Sequence, residues 1–179
     1  MIFLPTTAGS SSDISQFCII TDVARQVKMS IISRSLVPNV SIIDPLVLFT
    51  KSEELIISSA VDAFAHAVES YLSLLSSPFT EHQALKAIRL IARNLRPALE
   101  DRSIEALENL SIAATCAGMS FSNAGLGIGH SLAHCLGGMF DVLHGLVHPI
   151  LLPPVMRFNL ASSVDKLATI GRIVCGPRM

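Results

Sequence analysis

Asp62 and His66 stand four residues apart in VDAFAHAVE (residues 61–69), and His130, His134 and His144 follow in GHSLAHCLGGMFDVLHG (residues 129–145). Residues i and i+4 of a helix share a face one turn apart, so a carboxylate oxygen and an imidazole nitrogen at this spacing can grip one divalent ion. His130 and His134 repeat the step. His144 cannot extend it, because fourteen residues of helix rise about 21 Å whereas ligands must reach within about 2.0–2.2 Å of an ion. The chain must fold back between His134 and His144. Gly137 and Gly138 stand where that break is needed, since glycine accepts the positive φ that ends a helix. Such pairs are individually common as ordinary solvent or core contacts. Their weight comes from clustering: five of the six histidines lie in or beside these two segments. His82, in a polar helix start, reads as a surface residue, His148 as pocket lining or packing ahead of a support for one of the ligands, and Glu69 as solvent-facing or interhelical. One carboxylate with imidazoles suits Fe(II), Zn(II), Co(II) or Ni(II).

The elements that must carry these residues change character near Thr50. Before it the chain reads as extended: an apolar run at 1–4 ended by Pro5, a polar loop at 6–13, strands at 16–21 and 27–32 flanking a hairpin turn at 22–25, and a further short strand at 40–43. The hydroxyl-rich loop suits close approach to a phosphate or ribose, or an ordinary turn. Beyond it the period is helical. Thr50 and Glu53 have capping-box spacing ahead of the segment with Asp62 and His66. Ser77 and Pro78 open a second helix, which Pro97 should stop near Arg96. Ser103 caps a third, whose small residues at 113–118 let neighbours approach closely. A fourth carries His130 and His134. A fifth follows His144 on an irregular, proline-marked course to Asn159, and Ser162 and Ser163 begin the last, which ends at Gly176. Gly125, Gly127 and Gly129 lack the strand, spacing and downstream acid of a dinucleotide fingerprint and read as a bend opening the fourth helix.

PTTAGSSSD (residues 5–13), VDAFAHAVE, GLGIGHSLAHCLGG with its later HG, and LLPPVMRFN (residues 151–159) together resemble the iron-containing, group III, alcohol dehydrogenases nearly from end to end. The resemblance implies a mainly α fold of truncated dehydroquinate synthase-like architecture. Residues 1–48 are then a remnant of an α/β dinucleotide-binding domain, with its strands and PTTAG-type loop. Residues 49–179 are an all-helical metal-binding domain without its C-terminal helices. Carried over by motif, Asp62, His66, His130 and His144 are the metal ligands, and His134 is the catalytic residue beside the alcohol and the nicotinamide. Thr6, Thr7 and Ser10 contact the cofactor, with Ser15, Phe17 and Lys28 as further contacts. The implied cofactors are a divalent metal, Fe2+ ahead of Zn2+, and NAD or NADP. The implied reaction is reversible hydride transfer between an alcohol and its aldehyde, with a chain that is incomplete and inactive alone. The alternative is a non-catalytic, truncated metal-binding module or a partner of a complete homologue. The related glycerol dehydrogenase and dehydroquinate synthase group has another ligand pattern, which HxxxH followed by HG argues against. The sequence departs from the family at Ser52 or Glu53 and at Ala60, where proline and glycine are usual, and at His148, where many members carry asparagine.

Half of the 179 residues are hydrophobic and 15% are charged, one domain's length with a surface hard to solvate. Apolar faces that meet another domain or a second subunit are expected, hence a homo-oligomer. A net charge of −1 with no Trp and one Tyr gives no case for nucleic acid. Cys18, Cys116, Cys135 and Cys175 form no CxxC pair and read as buried free thiols. With no leader pattern and no apolar run of about 20 residues, a cytoplasmic protein without membrane contact is expected.

Overall fold

Helix α1 (Glu53–Leu72) packs against α2 (Pro78–Glu100), α3 (Ile104–Ala124) and α5 (His144–Asn159), which explains why a helix carrying several polar residues is buried over nearly its whole second half. A computed structural model describes residues 1–176 of the chain. Two further helices complete its helical part, α4 (Ile128–Phe140) and α6 (Val164–Cys175). The interior is rich in alanine. Ala60, Ala63, Ala65 and Ala67 of α1, Ala84 and Ala87 of α2, and Ala113 and Ala117 of α3 share one buried cluster with Ile88, Leu107 and Leu110. Small side chains at helix contacts shorten the interaxial distance, and polar groups then bridge the backbones: Ser120 on α3 donates to Ser70 on α1 at 2.8 Å, both fully buried. Lys166 on α6 ties three elements together, donating to the Tyr71 carbonyl at 2.7 Å and pairing with Glu81 of α2 at 2.6 Å.

The β segment is small, as expected from the sequence. Strand β1 (Ile2–Phe3) pairs in parallel with β4 (Val40–Ser41), and β2 (Phe17–Asp22) pairs with β3 (Val27–Ile32) as an antiparallel hairpin. The intervening loop is docked on α3. Ser11 Oγ donates to the Ala114 carbonyl at 2.6 Å and Gln16 Nε2 to the Ser122 carbonyl at 2.6 Å. A side chain at Gly118 would strike Ser11, so glycine there sets the close approach.

Several local expectations are corrected by the structure. Helix α1 is capped by Ser52, whose hydroxyl accepts from the Leu55 N–H, rather than by Thr50. Helix α2 passes through Pro97 to Glu100. Gly137 and Gly138 do not break α4. They lie inside it, where a Cβ on Gly138 would stand 2.7 Å from the Gln26 carbonyl and one on Gly137 would meet the Lys28 side chain at 2.9 Å. The glycines admit the β hairpin, and the helix ends instead at Asp141, held at φ 52°, a conformation Asp tolerates. Residues 144–159 form one helix through Pro149, Pro153 and Pro154. Cys135 and Cys175 are exposed, not buried, and only Cys116 of the four free cysteines is fully buried. Exposed apolar residues are plentiful, among them Ile2, Ile32, Phe140, Ile150 and Phe158. No helix among the described residues is long and apolar enough to cross a membrane.

Backbone meets backbone where α5 crosses α1. A Cβ added to Gly145 would overlap the Ser58 carbonyl and lie 3.0 Å from the Ser58 Cα, with no flexible side chain to yield. Gly145→Ala is therefore expected to destabilise the chain by about 1–3 kcal/mol through overpacking, read from the urea midpoint. An unchanged midpoint would mean that α1 and α5 are not in this contact.

Candidate metal centre

Three helix segments converge on one carboxylate. Asp62, midway along α1, is 7% exposed, and four imidazole nitrogens surround it: His148 Nε2 at 3.3 Å, His130 Nε2 at 3.8 Å and His144 Nε2 at 4.0 Å from Oδ1, and His66 Nδ1 at 3.8 Å from Oδ2. Two donors that share an ion at about 2.1 Å each lie at most about 4.2 Å apart. All four separations fall inside that limit. Asp62 Oδ1, His66 Nδ1, His130 Nε2, His144 Nδ1 and His148 Nε2 are buried without a hydrogen-bond partner. Buried polar atoms are nearly always satisfied, and each left unmade costs about 1–3 kcal/mol. Four of these, Asp62 Oδ1, His66 Nδ1, His130 Nε2 and His148 Nε2, meet at the one carboxylate and fit a divalent cation that they would share.

The helices place these donors by one-turn steps. Asp62 and His66 share a face of α1, and His144 and His148 share a face of α5, which begins at His144. Helix α4 starts at Ile128 and presents His130 from its first turn. Its exposed N-terminal amides are capped from another helix: Glu69 of α1 accepts from the N–H of Gly129 at 2.6 Å and from those of Gly127 and His130, each at 3.2 Å. Glu69 also lies 2.5 Å from His130 Nδ1. An ionised carboxylate can only accept, so Nδ1 carries the proton and Nε2 turns a free lone pair toward Asp62. Glycine at 129 is required for this cap, since a Cβ there would stand 2.5 Å from Glu69 Oε1. Of the two readings of Glu69, solvent-facing or interhelical, the structure bears out the second: it is buried and joins α1 to α4. Its place at i+7 from Asp62 and i+3 from His66 is the sequence signal for it, because the three fall on one helix face. Phe121, which stacks on His66 with centroids 4.3 Å apart, carried no such signal.

Burial pushes the His66 and His144 imidazoles down to about 3, which leaves them neutral and able to donate lone pairs. Burial also opposes ionisation of Asp62, but the electrostatic pull of the adjoining His66 ring and the proximity of His130 and His148 outweigh it and hold the carboxyl well below its usual range. Burial likewise acts against the charged form of His130, yet Asp62 and Glu69 together raise its pKa. For His66 and His144 the folded value lies below the unfolded one of about 6.5. The stability they contribute is complete above that value and is lost as pH falls toward 3. The metal-free chain is expected to lose about 2 kcal/mol for each between pH 7 and pH 5. Asp62 loses its share only at lower pH. His130 acts in the opposite sense, its share being lost as pH rises through its elevated folded value. Denaturant midpoints at pH 7 and pH 5 check this, and equal midpoints would mean that the two imidazoles are not held neutral.

Of the ligands named from sequence, Asp62, His130 and His144 join a group, with His148, whose donors all lie within 4.8 Å of one another. His66 stands beside that group, its ring stacked on His130 with centroids 4.3 Å apart. His134 is half-buried next to His144, the rings 4.9 Å apart, and burial lowers its pKa. A cleft of about 590 Å³ runs from the histidines to the β hairpin, and Ser10, Ser15, Phe17 and His134 line it. Thr7 lines a separate small pocket with Ser11, Asp13 and Asp44. Thr6 is exposed and is not among the cleft's lining residues. Lys28 sits against Gly137, its charge near enough to act on His134.

Residues 56–179 match the Fe-containing alcohol dehydrogenase family, C-terminal, and residues 1–45 match iron-containing alcohol dehydrogenase. The chain is 42% identical over 175 residues to the 1,3-propanediol dehydrogenase of Klebsiella pneumoniae, covering 97% of this chain and 45% of that protein. It is 35% identical over 175 residues to the NAD-dependent methanol dehydrogenase of Bacillus methanolicus, covering 97% of this chain and 46% of that one. A crystal structure of 1,3-propanediol oxidoreductase superposes with a TM-score of 0.94 at 41% identity, covering 99% of this chain and 46% of the other. The chain spans less than half the length of these relatives.

Proposed function

Because this chain belongs to the iron-containing alcohol dehydrogenase family, we propose that it carries the metal centre and part of the cofactor wall of an enzyme moving hydride reversibly between a small alcohol, or its aldehyde, and NAD(P). The observation that carries the reading is the buried, unpartnered Asp62 Oδ1 with the equally unpartnered ring nitrogens of His66, His130 and His148 round that carboxylate. Asp62, His66, His130 and His144 hold the ion, with Fe2+ favoured by the family and Zn2+ compatible with the donors. When bound, such an ion polarises a substrate oxygen as a Lewis acid.

The chain's own groups do the rest. Glu69 keeps the Nδ1 proton on His130. His134, on the cleft side of His144, takes a proton from the alcohol side of the site, becomes an imidazolium and releases the proton outward, a role suited to an imidazole whose lowered pKa leaves it free to accept and quick to give up the proton. Ser10, Ser15 and Phe17 form the cleft wall nearest the β hairpin and position the nicotinamide end of the cofactor. Thr6, Thr7 and Lys28 serve its more distant parts, and the protein supplies placement while the cofactor carries the hydride. In this reading residues 1–48 belong to the cofactor-binding domain and 49–179 to the helical metal domain. The exposed apolar faces fit a homo-oligomer, and the free cysteines fit the cytoplasm.

Metal analysis of the purified chain with a parallel NADH titration tests the proposal. Stoichiometric iron or zinc together with a change in NADH fluorescence is the expected result. Metal with no response to millimolar NADH would reduce the chain to a metal-binding module, and absence of metal would overturn the site.

A further inference from the structure

We infer that His148 is a direct ligand of the same metal ion, so that the chain offers one carboxylate and four imidazoles. Of the four imidazole nitrogens round the carboxylate, His148 Nε2 is nearest to it, at 3.3 Å from Asp62 Oδ1, against 3.8 to 4.0 Å for the other three. The residue is 1% exposed and Nε2 has no hydrogen-bond partner. A packing histidine would satisfy that nitrogen or leave it against a polar neighbour with good geometry. Here it joins Asp62, His130 and His144 in the group whose donors lie within 4.8 Å of one another. The helix explains the placement: His148 follows His144 by one turn of α5, so any ion reached by one lies over the face that presents the other.

Five protein donors leave one place on a six-coordinate ion. Zn(II) in proteins prefers four ligands, whereas Fe(II), Co(II) and Ni(II) accept five or six, so His148 biases the site toward the latter. The inference rests on the metal-site reading above, and its test separates the two.

The unaltered chain, labelled with nitrogen-15 and loaded with cadmium-113, is examined by NMR for scalar coupling between the metal and each imidazole. Coupling to the His148 ring is expected alongside coupling to His66, His130 and His144. Bound cadmium without coupling to His148 would overturn the inference and leave the metal centre standing; no bound cadmium would overturn both. A second readout is competition for Co(II) by a chromophoric chelator. His148→Asn should weaken binding at least about tenfold, while His82→Asn, at the exposed histidine, should change it less than about twofold. A residue acting only through another ligand can also cost about 10–100-fold, so the coupling decides between contact and support. Equal affinity in the two variants would overturn the inference as well.

Discussion

Asp62→Asn is expected to remove the metal-dependent part of the chain's stability and to weaken divalent-metal binding by more than about a hundredfold. Asparagine keeps the volume of the carboxylate and one acceptor oxygen, so the core of α1 stays filled and the change tested is that of charge. Asp62 is the hub of the centre, with four imidazole nitrogens between 3.3 and 4.0 Å of its oxygens, and it is the only anionic donor among them. Removing a group that merely orients a ligand costs about 10–100-fold in metal affinity, and loss of the one charged ligand must exceed that. Thermal midpoints with and without excess Co(II) make the effect visible, since a ligand held only by the folded state stabilises it by RT ln(1 + [L]/Kd). The unaltered chain should show a large rise on adding metal and Asp62→Asn almost none. A variant that keeps the full rise would mean that the ion, if it binds, does not bind at Asp62.

The parts of the structure that follow from neighbouring residues were legible in the sequence. Ser77 and Pro78 open α2 with a capping box and Ser103 caps α3 through the Ala106 N–H. The hairpin of β2 and β3 has nearly the expected bounds. The family itself was legible for the same reason, because its motifs are local strings that carry their own spacing. The structure departs from the local reading most where a contact from elsewhere decides. Proline at 97 and the pair of glycines in α4 are strong local breakers, yet both helices continue, and for the glycines the reason is a hairpin more than a hundred residues earlier in the chain. For Glu69 the sequence leaves a solvent-facing place open beside the interhelical one, because charge is mostly exposed. The shared helix face with Asp62 and His66 hints at its burial, but the amides of α4 that it caps come from a segment some sixty residues on. The nearness of His148 Nε2 to Asp62, at 3.3 Å, likewise depends on how closely Gly145 lets α5 approach α1.

Glu69→Ala is expected to cost at least about 3 kcal/mol of folding stability and, where the chain still folds, to weaken metal binding about 10–100-fold. The carboxylate is 4% exposed and has four partners: the N–H groups of Gly127, Gly129 and His130, and the His130 ring nitrogen. Each donor stranded in the interior costs about 1–3 kcal/mol, and the negative charge at the start of α4 also opposes the helix dipole favourably. With the acceptor gone, nothing keeps the proton on Nδ1 of His130, so Nε2 is no longer reserved for the ion. Glu69→Gln separates the two effects. It retains an oxygen for the amides and the volume that fills the space, but loses the charge that fixes the His130 tautomer, so stability should fall less than metal affinity does. The pH dependence has a definite sign. Burial works against ionisation of Glu69, but the His130 hydrogen bond and the backbone donors outweigh it and depress the pKa. Its contribution is therefore complete above the ordinary glutamate value of about 4.3 and is lost as pH falls through the folded one. Urea unfolding at pH 7 and at pH 3, set beside Co(II) affinity for both variants, measures each part. If Glu69→Gln kept both the stability and the affinity of the unaltered chain, the carboxylate would be filling space between α1 and α4 rather than holding a ligand in place.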